Sequence, residues 1–151
     1  MFIGGGVVQA RAMNWLTWSL LSALFAGATA ILAKVGVKDV DSNLATAVRT
    51  TVVLIFAWAI VWGTQVGGGI SEFSRKTWLF LVLSGLATGL SWLCYFQALQ
   101  LADASKVAPI DKLSVVFVLI FAALFLKEPL TMKTGVGGVL IALGAVVLAW
   151  K

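Results

Sequence analysis

The sequence predicts an all-α integral membrane protein with five transmembrane helices. Three observations carry that reading. Hydrophobic residues make up 61% of the chain and charged residues only 11%, whereas a soluble domain is about 25% charged. The mean hydropathy is +1.04, and a chain of 151 residues has too high a surface-to-volume ratio to bury that much apolar surface in water. Finally, the apolar residues fall into five runs of near-membrane length, and none alternates as the strands of a barrel would.

The first run spans about Trp15 to Ala33 and carries no charge. Ala28-Thr29-Ala30 resembles a signal-peptide cleavage pattern, but the run is too long and four more follow, so a cleaved leader is rejected. The second runs from about Leu44 to Val66, interrupted only by Arg49. The third, about Thr77 to Leu101, is uncharged. The fourth, about Lys106 to Leu126, contains Asp111 and Lys112. The fifth, about Thr134 to Trp150, is uncharged. Helix is required because lipid offers no partner for unpaired backbone groups.

The connections carry turn chemistry. Asp39, Asp41 and Ser42 offer capping oxygens before the second helix. Gly67-Gly68-Gly69 opens the longest break, and Ala102-Asp103-Ala104-Ser105 is a tight turn. Pro129 ends the fourth helix. Such short links make neighbouring helices antiparallel. Trp15, Trp78 and Trp150 lie at run ends, where an aromatic belt is expected. Residues 1–13 differ from the rest and are set apart as a leader, either disordered or preceding an alternative start at Met13, with 14–151 as the membrane domain.

Orientation is weakly encoded. Arg11, Arg75, Lys76, Lys127 and Lys133 fall on the N-terminal side, and Lys34, Lys38, Lys106 and Lys151 on the other, with Arg49 and Lys112 just inside it. A positive-inside bias is nearly absent. An odd number of spans rules out duplication into two equal halves, and a chain inserting both ways and pairing antiparallel is the favoured route to inverted symmetry; the alternative is a single orientation set by something subtler than charge counts.

Small residues form stripes that permit close helix approach. Ser19, Ala23, Ala26, Ala30 and Ala33 share one face of the first helix, and Gly135, Gly138, Ala142, Ala145 and Ala149 one face of the fifth. Gly85 and Gly89 form a third pair. Each stripe fits packing within the chain; one of the three fits a dimer seam, which a bulky residue at Gly138 or Gly144 would break.

Ionisable groups inside a membrane are costly and are functional candidates by default. Asp111 and Lys112 are the first pair. On a helix such neighbours point roughly 100° apart and are poor partners, and Arg49, about a turn into the second span, offers Asp111 one candidate partner. Two readings stand for Asp111 and Lys112: contact with substrate or a coupling ion, or a structural pair that snorkels. For Arg49 a structural pair leads. Pro109 either bends the fourth helix beside these charges or merely initiates it. Trp58, Trp92, Tyr95 and Trp18, with Ser91 and Gln97, supply an aromatic lining with a few polar groups, suited to a small amphipathic or cationic ligand.

From Tyr95 onward the chain resembles the EamA-type half of the drug/metabolite transporter superfamily. The resemblance rests on Tyr95-Phe96-Gln97-Ala98-Leu99 leading into Ala104-Ser105-Lys106-Val107-Ala108-Pro109. It continues through Leu124-Phe125-Leu126-Lys127-Glu128-Pro129-Leu130-Thr131 and the glycine-rich Thr134-Gly135-Val136-Gly137 to Leu140-Ile141-Ala142-Leu143-Gly144. Arg49 also falls where the family often has arginine, and the likeness covers about 14 to 150.

Family members usually carry two such repeats, so the resemblance implies that two copies make the transporter. It implies a central cavity lined by the first four helices, with the fifth peripheral, and an inner membrane of a bacterium or archaeon. Glu128 matches the family's turn acid and is expected to pin the last loop. Small multidrug transporters of the superfamily use a glutamate in their first helix; this first span has no acid, which argues against proton-coupled export by that route.

The expected function is therefore secondary transport of a small metabolite or an amphipathic or cationic solute by alternating access, as an antiparallel homodimer in the lipid bilayer. The alternative is a non-transporting structural or regulatory subunit of a larger complex. An enzyme is not expected: there is no histidine, no HExxH, no GxSxG and no clustered carboxylates. No ring of like charge suggests a channel. Scattered cations exclude nucleic acid, a single cysteine excludes an intrachain disulfide, and no metal or cofactor is expected.

Overall fold

The computed structural model describes residues 14–65 and 67–150. The expected leader, residues 1–13, lies outside the described residues. Among those described there are six α-helices: α1 (Trp15–Gly36), α2 (Ser42–Thr64), α3 (Arg75–Leu101), α4 (Ala104–Asp111), α5 (Ser114–Phe121) and α6 (Met132–Ala149). A 3₁₀ segment, Gly67–Glu72, precedes α3, and a π-helical turn, Ala122–Leu126, extends α5. Five stretches are long and apolar enough to cross a membrane, with α4, α5 and part of the π turn acting as one, Ala104–Phe125. The five-span expectation holds, with each boundary within about three residues.

Local chemistry sets those boundaries. Asp41 caps α2, accepting from the Asn43 and Leu44 amides at 2.9 and 3.1 Å. Ser74 caps α3 through the Thr77 amide at 3.0 Å, and Thr131 caps α6 through the Thr134 amide at 3.2 Å. The amides these oxygens satisfy have no partner inside the helix. Hydroxyls inside the spans are satisfied by their own helix: Thr46 donates to Ser42 O at 2.7 Å, Thr50 to Thr46 O at 2.8 Å and Thr88 to Ser84 O at 2.9 Å. Back-bonding of this kind lets a polar residue sit in hydrocarbon.

The fourth span departs from the expected single helix. It is broken at Lys112 and Leu113, between α4 and α5. Pro109 lies inside α4, six residues into it, and not in its first turn. It has no amide to donate and its ring crowds the preceding turn. The backbone after it tightens: Lys112 N bonds Pro109 O at 3.1 Å, Leu113 N bonds Ile110 O at 3.0 Å and Val115 N bonds Lys112 O at 3.0 Å. These are bonds of 3₁₀ spacing, a frequent device at a bend. Pro109 therefore does not initiate the helix, and the span is interrupted three residues after it.

Packing is concentrated at one end. α3 packs against α1, α2 and α4, and α4 and α5 carry α6. Ala33, Val37, Phe96 and Leu99 form the buried cluster, with Ala45, Tyr95, Ala104 and Val107 against it. All belong to the ends of α1 and α3 and the starts of α2 and α4. Polar ties close the same end. Lys34 Nζ donates to Leu99 O at 2.6 Å and Ala102 O at 2.9 Å, capping the carbonyl end of α3. Gln100 Nε2 donates to Val37 O and Val40 O in the α1–α2 loop, and Ser42 Oγ donates to Gln97 Oε1 at 2.8 Å. At the other end α2 and α3 separate, residues 51–60 of α2 and 75–88 of α3 being exposed on every face, while α5 and α6 stay in contact.

The stripes of small residues divide accordingly. Ala30 and Ala33 of α1 and Gly138 and Ala145 of α6 are buried within the chain. Gly85, Gly89 and Gly144 have open space where a Cβ would stand, so those positions face outward.

Candidate functional site

Arg49 and Asp111 are each seven residues from the first residue of their helix, Ser42 of α2 and Ala104 of α4. Both helices start at the closed end. At 1.5 Å per residue both side chains originate about 10 Å below that face. Ser91, Trp92 and Tyr95 lie six to ten residues before the end of α3, Leu101, at the same face, hence about 9–15 Å deep. The hydrocarbon core is about 30 Å thick, so this layer reaches toward its midplane.

In that layer a cavity of about 200 Å³ is lined by Ala26, Thr29, Arg49, Ser91, Trp92, Tyr95, Asp111 and Lys112. The structure thus brings together six of the nine residues singled out from the sequence. Trp18 and Trp58 do not line it. Each lies in the half of its helix nearer the splayed end, 61% and 41% exposed, too far along the axis to reach the layer. Gln97 turns instead to Ser42. Ala26 and Thr29 are wall residues that residue chemistry does not single out, because neither is charged nor aromatic. The signal was the small-residue stripe of α1, in which Ala26 keeps a wall thin while Ala30 and Ala33 pack.

Two electrostatic expectations are corrected. Asp111 does not pair with Arg49. It pairs with Lys112, Nζ to Oδ2 at 3.4 Å, a contact that the long, flexible lysine stem reaches although the two Cα–Cβ directions diverge. Arg49 instead lies over aromatic rings, its guanidinium carbon 4.1 Å from the centroid of Trp92 and 5.5 Å from that of Phe96. Among the described residues it has no carboxylate within ion-pair distance. Cation–π contact of this kind contributes about 0.5–2 kcal/mol, well short of what an ion in hydrocarbon costs. The cavity therefore holds two cations against one anion, and the anion is already engaged.

The lining of this cavity comes from the first four spans, and α6 contributes no residue to it. The EamA-like transporter family matches residues 13–150. The chain belongs to that family. It is a multi-pass integral membrane protein of a transporter family. A relative from Sinorhizobium sp., named an uncharacterized transporter in the cobO 3′ region, is 53% identical over 138 residues, covering 91% of this chain and 98% of that one. A second, from Enterobacter sp. (strain 638), is named a probable 4-amino-4-deoxy-L-arabinose-phosphoundecaprenol flippase subunit, ArnE; it is 28% identical over 100 residues, covering 64% of this chain and 94% of that one. No solved structure matches the chain.

Proposed function

We propose that this EamA protein is a secondary transporter that works by alternating access as a homodimer of inverted five-span repeats, with Arg49, Ser91, Trp92, Tyr95, Asp111 and Lys112 contacting the solute. The observation that carries this is the convergence of three ions from two apolar spans on one polar cavity, about 10 Å below the closed end. Ions at that depth are rare and mark transport pathways. Family members usually carry two such repeats, so in this reading a single chain supplies half of the site and a second copy completes it. The polar ties at one end and the separated helices at the other supply the asymmetry that two inverted copies exchange when they rock. The weak charge bias supports insertion in both orientations, in the inner membrane of a prokaryote.

The test is flux. Purified protein in liposomes takes up or exchanges a solute from a metabolite panel, and Asp111→Asn or Lys112→Gln lowers that flux by about tenfold or more, the worth of a hydrogen bond to a charged group. Unchanged helicity and elution volume show that folding is intact. Labelling of tags on both termini from one side of intact cells is expected to reach both ends; labelling of a single end removes the antiparallel dimer.

A second reading is a membrane subunit without transport of its own. The relative named as a flippase subunit favours it. Absence of flux for the whole panel, with co-purification of a different membrane chain, selects that reading.

A further inference from the structure

The polar cavity opens sideways. Thr29 and Arg49, two of its wall residues, also line an apolar groove of about 510 Å³ between α1 and α2. Leu32 and Val48 form the sides of that groove and Phe96 its floor. Leu32 is 72% exposed and Val48 58%, so the groove faces the bilayer along its length. From Thr29 to Gly36 it runs about 10 Å along α1. Arg49 stands where the two spaces meet, with hydrocarbon on one side and the polar cavity on the other.

The charge at that junction is unbalanced. Lys112 holds Asp111 at 3.4 Å, and Arg49 faces aromatic rings without a carboxylate among the described residues. A guanidinium in this setting takes an oxyanion: its forked donors match carboxylate and phosphate oxygens. A hydrocarbon slot leading directly to such a cation takes a chain attached to that oxyanion.

The geometry points to a single-chain amphipathic anion as the substrate class, its phosphate or carboxylate on Arg49 and its chain between α1 and α2. This narrows the transport reading above and rests on it. It replaces the cationic solute that the aromatic residues alone suggest. The substrate enters from the bilayer between α1 and α2, with its head drawn into the cavity by charge and its tail left in lipid-like surroundings.

The test uses the full chain in phosphatidylcholine vesicles, which carry no net charge to compete. Two photoreactive probes share one diazirine-bearing dodecyl chain, one headed by phosphate and the other by trimethylammonium. The phosphate probe is expected to label Leu32 or Val48 in a manner saturable by excess dodecyl phosphate, about tenfold above the cationic probe. Arg49→Gln removes that excess, and Arg49→Lys, which keeps the charge, retains most of it; the lysine variant guards against loss through misfolding. Equal, unsaturable labelling by both probes means that bulk lipid fills the groove and overturns the proposal. Absence of groove labelling by either probe means that a second copy covers it, which overturns the proposal as well. In either case flux measured in the same vesicles stands independently, so the transporter reading survives the loss of the substrate class. Saturable labelling without flux of any solute overturns both.

Discussion

Lys34→Met is expected to lower the stability of the protein by about 2 kcal/mol, the worth of hydrogen bonds made by a charged donor after allowance for partial exposure. The ammonium bonds two carbonyls at the end of α3, Leu99 O and Ala102 O. Methionine keeps the apolar stem and removes the donor, so the loss is electrostatic and not one of packing. Leu99 itself belongs to the buried cluster of Ala33, Val37, Phe96 and Leu99 at the closed end. A denaturant titration in mild detergent, followed by circular dichroism, measures the effect. Lys34→Arg, which keeps a charged donor, is expected to recover more than half of it. An unchanged midpoint for Lys34→Met means the closed end is held by apolar contact alone. The same contact explains part of the weak charge bias, since a lysine engaged in capping a helix is a poor marker of a membrane face.

Gly138→Leu is expected to cost about 1–3 kcal/mol by overpacking, with a lower thermal midpoint in the same detergent. A Cβ at Gly138 would stand 3.0 Å from Leu119 Cδ1, and leucine adds three carbons beyond it. Alanine is expected to be mild, because the atom it meets is the free end of a leucine side chain. Gly144→Leu provides the contrast. Nothing lies within 4 Å of a Cβ built there, so stability of the single chain is unaffected. If α6 forms the dimer seam, Gly144→Leu shifts the protein from dimer to monomer on size exclusion. The two variants separate packing within a chain from packing between copies, which a small-residue stripe in sequence does not distinguish.

The spans were legible because lipid imposes a simple rule. A stretch must be apolar and about 20 residues long, and Asp41, Ser74 and Thr131 mark the points where helices start. The ions were legible for the same reason, since Arg49, Asp111 and Lys112 stand out in hydrocarbon sequence. Their partners were not. Asp111 meets Lys112, a sequence neighbour that helix geometry points away, because the length of the lysine side chain lets it reach back, and residue spacing alone does not show that. Trp18 and Trp58 illustrate a second limit. Residue type marked them as lining, but depth along the helix decides which aromatics share a layer. Their depth places them with the separated ends, away from Arg49. Ala26 and Thr29 show the converse, because a wall needs only small side chains at the right depth.

Composition and periodicity alone determined that the chain lives in a bilayer, how often it crosses, and which few ions it carries there. The local rules for those properties depend on neighbours a few residues away. Tertiary structure decided which helices meet, that the buried cluster lies at one end, and that Arg49 faces Trp92 and Phe96. Those outcomes follow from the relative depth and rotation of separate helices, set by long-range packing around Phe96 and Leu99, and no local pattern encodes them.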